Sequence, residues 1–133
     1  MLGGLIRFYE QCVGISLPAI GRYKIELWWC PSGYKIIPHS HDNQDIELCF
    51  LFGHDTTFYR KKQEELFSDS YTPNWPKDIG KVFTISAGTI HWFEVSKWPL
   101  VFINFEKWKP GIKPTSASVD FKKEKQLWLV ESV

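Results

Sequence analysis

The chain is poor in several features that would assign it to a class at once. Its three cysteines, Cys12, Cys30 and Cys49, are odd in number and share no C-x-x-C spacing. A disulfide framework is therefore not expected, and a reducing, cytoplasmic setting is. Surplus charge is missing too: 16 basic against 15 acidic side chains leave a formal net charge of +1. So weak a field gives no footing for nucleic acid or for an anionic membrane as partner. No stretch approaches the roughly eighteen uninterrupted apolar residues of a membrane span. The N-terminal apolar run is broken by Arg7 and Glu10 and lacks a clean cleavage site, so no signal peptide is expected. No internal repeat, low-complexity tract or basic helix is present. At 133 residues, no DNA-binding unit is expected beside a first domain.

What is abundant is aromatic surface. Phe, Trp and Tyr make up 17% of the chain, with seven Trp and ten Phe. Bulky aromatic and β-branched residues favour sheets, where they pack across a pleated face. The chain length suits one domain over residues 1–133. Apolar stretches read as strands over residues 22–30, 34–41, 46–52, 56–59, 81–85, 89–95 and 100–108, with a closing strand over 125–130. Residues 1–18 fit a short helix or an edge strand. Turn signals separate the strands, among them Pro31-Ser32-Gly33, Asp42-Asn43-Gln44-Asp45 and Ser86-Ala87-Gly88. Pro38, inside one of these stretches, suits an edge or a bulge. Residues 61–75 read as a long polar loop, with 71–75 either a lid or a loop that merely covers one end of the fold. Short strands at this spacing indicate a sandwich or barrel.

Three of the four histidines fall in two Gly-framed patterns. The first spans residues 33–53, from Gly33 through His39-Ser40-His41 and Glu47 to Gly53; the second spans 80–95, with Gly80, Gly88 and His91. On a regular strand, His-x-His puts both imidazoles on one face. A carboxylate and a distant third histidine would complete a transition-metal ligand set. His54, after Gly53, reads as a surface residue.

With these residues the chain resembles the cupin superfamily, whose signatures run G-x5-H-x-H-x3,4-E-x6-G and G-x5-P-x-G-x2-H-x3-N. Gly33, His39, His41 and Gly53 fall at the first spacing, and Gly80, Gly88 and His91 at the second. Ser86 and Val95 stand where that pattern has Pro and Asn. The acidic position is offset: Asp45 fits the shorter spacing, and Glu47 lies one place beyond the longer. Glu47 is preferred, because its side chain is longer and it sits within a strand, while Asp is at home in a turn. A one-residue bulge would reconcile its position.

The resemblance implies an all-β fold, a cupin-like double-stranded β-helix or jelly-roll barrel, with a divalent transition metal held by His39, His41, His91 and Glu47. Fe(II) is the first expectation, with Mn, Ni and Zn as others. If Glu47 faces inward, so do Cys49 and Leu51; if His91 does, so do Phe93 and Val95. Such a wall suits a small organic substrate. Arg60 is either a contact for an anionic substrate group or a solvated charge, and Cys49 either lies near the metal or is a small buried hydrophobe. Trp92 should face away from His91. The expected function is a dioxygenase-like oxidoreductase. The alternatives are a metal-dependent sugar or keto-acid isomerase or lyase, and a non-catalytic ligand-binding module. The resemblance also raises the expectation of a homodimer.

Overall fold

The computed structural model describes residues 6–112 and 114. Ten strands appear in chain order: β1 (Ile6–Tyr9), β2 (Cys12–Ser16), β3 (Tyr23–Cys30), β4 (Lys35–His39), β5 (Gln44–Phe52), β6 (Thr57–Lys61), β7 (Asp69–Tyr71), β8 (Val82–Ile85), β9 (Ile90–Glu94) and β10 (Leu100–Trp108). They form a six-stranded sheet in the order β1-β2-β3-β10-β5-β8 and a four-stranded sheet in the order β4-β9-β6-β7. Neighbouring strands are antiparallel throughout. Chain-adjacent strands such as β4 and β5 belong to opposite sheets, which winds the chain into a jelly-roll barrel.

Most expected strands are present within two residues of their predicted ends. The N-terminal ambiguity resolves as the β1–β2 hairpin, with Tyr9 opposite Cys12 and Glu10 at a positive φ of 53°. The expected loop over residues 61–75 contains β7, paired with β6. The strand expected over residues 125–130 lies outside the described residues. No helix among the described residues is long and apolar enough to cross a membrane.

Aromatic packing fills the space between the sheets. Phe58 of β6 meets Phe83 of β8 at 5.9 Å and Phe93 of β9 at 5.9 Å, and Phe93 meets Phe102 of β10 at 5.7 Å between ring centroids. Phe50, Phe58 and Leu100 are fully buried. Each such side chain contributes about 1.5–3 kcal/mol by leaving water. Gly14 is fixed by this packing, since a Cβ there would stand 2.7 Å from the Trp28 indole. Trp92 does face the other side of β9 from His91, and Tyr59 covers it with a stacked ring at 5.1 Å.

Candidate metal centre

His39 is the last residue of β4, an edge strand of the smaller sheet, and stands directly opposite His91 on β9. Pro38 is tolerated there because β4 has one unpaired side, and the register shifts between Ile36 and His39. His41 follows β4, in the connection to β5. The same-face argument from strand alternation therefore does not apply to it, yet His41 turns inward like the other two. Its position is held by the second Gly-framed pattern: Gly88, at φ 83°, donates its N–H to the His41 carbonyl at 3.0 Å. Few side chains accept that backbone conformation, which is why glycine stands at 88.

All three imidazoles are buried, at 2%, 3% and 8% exposure. Their ring centroids lie 4.3 Å apart for His39–His91 and 5.0 Å apart for the other two pairs. One ring nitrogen from each falls within 4.8 Å of the others. His39 Nδ1 lies 2.8 Å from the Ile37 carbonyl, and His91 Nδ1 lies 3.1 Å from the Thr89 carbonyl. A carbonyl only accepts, so in both rings Nδ1 carries the proton and Nε2 carries the lone pair. Histidine ligands are usually oriented in this way. Burial, and then the neighbouring His39 and His41, hold the His91 pKa well below its ordinary range, which keeps the ring neutral. Three buried, convergent imidazoles, two of them oriented by backbone carbonyls, fit a divalent first-row ion.

The other expected site residues are not brought to this cluster. Glu47 is exposed on the outer face of β5 and does not join the histidines. With it, Cys49 and Leu51 lie on the outer face, half-buried, and do not line the interior. The reason is one of parity: the inward residues of β5 are Gln44, Ile46, Leu48 and Phe50. Strand alternation does not carry across the intervening turn, so the histidines gave no phase for β5. Asp45 is exposed as well, and its Oδ1 accepts the Ala87 N–H at 2.8 Å, tying the first pattern to the second. Phe93 is inward, packed in the aromatic core two residues from His91. Arg60 is committed elsewhere. Its guanidinium donates to Asp69 Oδ2 at 2.9 and 3.1 Å and to the Thr84 carbonyl, and lies 4.5 Å over the Phe83 ring. It closes the seam between the two sheets. His54 is exposed beside Asp55, as expected. The residue 71–75 segment is no lid over the histidines: Trp75 packs on Phe52 and Trp98 at the opposite end of the barrel.

Residues that the sequence reading passed over share the interior with the histidines. Lys24 and Glu26 of β3, Gln44 of β5, and Asn104 and Glu106 of β10 are all buried. Burial, then the Glu26 carboxyl beside it, push the Glu106 pKa well above the usual carboxylate range, and Lys24 pulls part of the way back. The Trp108 indole lies near enough to favour the charged form of Glu106, but its Nε1 makes no hydrogen bond of normal geometry. The signal was present in the sequence as alternating polar residues, Lys24-x-Glu26 and Asn104-x-Glu106, inside otherwise apolar strands.

No family model matches the chain. No curated protein matches it in sequence. Among solved structures the chain is similar to the capsular polysaccharide assembling protein CapF from Staphylococcus aureus, at TM-score 0.66 and 13% identity, covering 79% of this chain and 30% of that one. It is similar to the cupin domain of Drosophila melanogaster CENP-C, at TM-score 0.66 and 10% identity over 77% of this chain and 74% of that one. It is also similar to a cupin superfamily protein from Desulfitobacterium hafniense, at TM-score 0.53 and 14% identity over 77% and 83%. The chain has the cupin fold, a double-stranded β-helix. At these identities the likeness is one of fold, and the chain spans less than a third of CapF.

Proposed function

We propose that the chain is a metal-dependent enzyme acting on a small organic molecule, with His39, His41 and His91 as the metal ligands. One observation carries this reading: three buried rings converge, with Nδ1 of two of them donated to backbone carbonyls. Packing alone does not call for three imidazoles in one place, because each must be desolvated and kept neutral. Glu47 has no part in the ligand set. A divalent ion held there would supply Lewis acidity and, if redox-active, oxygen activation. The residues themselves orient the site, exclude water and favour the protonated form of Glu106.

Dioxygenase-like oxidoreductase chemistry with Fe(II) is the first form of the proposal, since an all-imidazole set leaves positions for substrate and O2. A metal-dependent isomerase or lyase is the second. It is supported by the buried Glu106, whose pKa is raised above the usual carboxylate range and so suits it to carry a proton. CapF has been crystallised with the inhibitor 3-isopropenyl-tropolone, so one structural neighbour takes a small organic molecule. A reducing, cytoplasmic location is part of the proposal and rests on an odd number of cysteines without C-x-x-C spacing. The proposal includes a homodimer formed through the apolar outer face of the six-stranded sheet, where Phe8, Ile15, Leu27, Trp29 and Phe105 are exposed.

The test is anaerobic reconstitution with Fe(II), followed by an oxygen-electrode and product screen of small hydroxy- and keto-compounds. Substrate-dependent oxygen uptake supports the first form and anaerobic turnover the second. Ligand-induced stabilisation with no turnover contradicts both and leaves a binding module.

A further inference from the structure

One end of the barrel carries a polar wall where a core is ordinarily apolar. On β3 and β10 the usual alternation is inverted: Lys24, Glu26, Asn104 and Glu106 point inward, while Ile25, Leu27 and Phe105 are exposed. The strand register sets Lys24 opposite Glu106 and Glu26 opposite Asn104, and Gln44 of β5 opposite Trp108. Glu26 is 0% and Glu106 3% exposed. Desolvating two carboxyls on one wall carries a cost that apolar residues of the same size would not.

This wall lies at the histidine end of the barrel. Trp108 N–H bonds the Arg22 carbonyl at 2.8 Å and Lys109 N–H bonds the Asn43 carbonyl at 2.8 Å, which gathers the ends of β3, β10 and β5 where the histidine-bearing connection runs. The two inner faces also meet in register. Phe93 of β9 touches Phe102 of β10 across the core. His91 and Asn104 each lie two residues from those rings, on the same inward faces and toward the same end. The next layer of the barrel therefore has His91 on one sheet and Asn104 and Glu26 on the other.

Two amide oxygens of this wall have no donor from the protein: Gln44 Oε1 and Asn104 Oδ1. Gln44 and Asn104 are more than nine-tenths buried. Buried acceptors without donors are costly, so a chain that keeps two of them on one wall has a use for them. Both accept hydrogen bonds, and the matching partner is rich in donors. We propose that this wall binds an uncharged, hydroxyl-rich small molecule between the six-stranded sheet and the histidine cluster, with the Glu26 and Glu106 carboxyls on the same wall. The charged and titratable groups around these carboxyls are Lys24 on β3 and the three histidines across the barrel. A carboxylate-bearing ligand would add a third acid to the two already there. The proposal rests on the reading of the barrel interior as the functional site, but not on a metal being bound.

The experiment is saturation-transfer NMR on the protein as purified. The uncharged probes are glycerol, D-xylose, D-mannose and D-galactose, and the acidic probes are D-gluconate and D-galacturonate. At least one uncharged probe should bind saturably, with the acids at least tenfold weaker. Asn104→Leu, a close apolar substitute, should weaken that binding at least tenfold while metal content stays as in the wild type. In difference infrared spectra the bound probe should shift a carboxylic-acid carbonyl band that Glu106→Gln removes. Binding by none of the uncharged probes, equal binding of the acids, or unchanged affinity in Asn104→Leu would overturn the proposal. Probe binding with these sensitivities in a protein that takes up no metal would sink the metal reading and leave this one standing. Metal uptake with no probe binding would do the reverse.

Discussion

At the scale of single residues, two buried titratable groups make stability depend on pH in opposite directions. His91 has a native pKa held below its unfolded value of about 6.5. As pH falls below about 6.5 the unfolded chain takes up a proton at this ring and the native one does not, so the native state loses stability. Metal-free protein should therefore melt at lower temperature at pH 5.5 than at pH 7.5, and His91→Asn should flatten that slope; an unchanged slope would contradict the account. Glu106 has the opposite sign. Its native pKa is raised above the unfolded 4.5, so its contribution is fully present below that value and is lost as pH rises through the native pKa. Glu106→Gln removes this burden at neutral pH. Calorimetry at pH 7 should show the variant melting a few degrees above the wild type, as when stability is released from a functional site. A lower melting point would mean that the Glu106 charge holds the fold together.

At the scale of elements, the β-strands and the two Gly-framed patterns were legible because their signals are local. Turn residues, aromatic density and the order Gly33…His39-x-His41…Gly80…Gly88…His91 needed no long-range information. The facing of each strand was less legible. An apolar alternation is read as core-facing by default, and in β3 and β10 the default fails: Ile25, Leu27 and Phe105 are on the outside while Lys24, Glu26 and Glu106 are within. Glu47 was preferred for its length and its place within a strand, and neither sets which face of β5 it occupies. The offset acid in the spacing was itself a clue that no carboxylate stands with the histidines. Core packing at this scale gives a direct expectation. Phe50 is 1% exposed, and Phe50→Ala should cost about 3–5 kcal/mol by chemical denaturation. A cost near zero would show that the space around β5 collapses freely.

At the scale of the whole molecule, the inverted strands give the six-stranded sheet an apolar outside as well as a partly polar inside. Val13 stands opposite Trp29 and Ile15 opposite Leu27, and Leu27 pairs in turn with Ile103 of β10, so the apolar columns run continuously from β2 to β10. Patches of that breadth mark interfaces on soluble proteins. Analytical ultracentrifugation should find a dimer in the wild type and a folded monomer in Leu27→Lys/Trp29→Lys. A wild-type monomer at high concentration would contradict the dimer.

The account turns on one claim, that the three histidines hold a metal ion. Elemental analysis of freshly purified protein beside His39→Ala/His91→Ala and Glu47→Ala tests it most directly. The account predicts about one equivalent of a divalent transition metal in the wild type and in Glu47→Ala, and almost none in the double histidine variant with its β-sheet spectrum retained. Wild-type protein that takes up no metal even after anaerobic reconstitution, or a double variant that keeps its full equivalent, would contradict it.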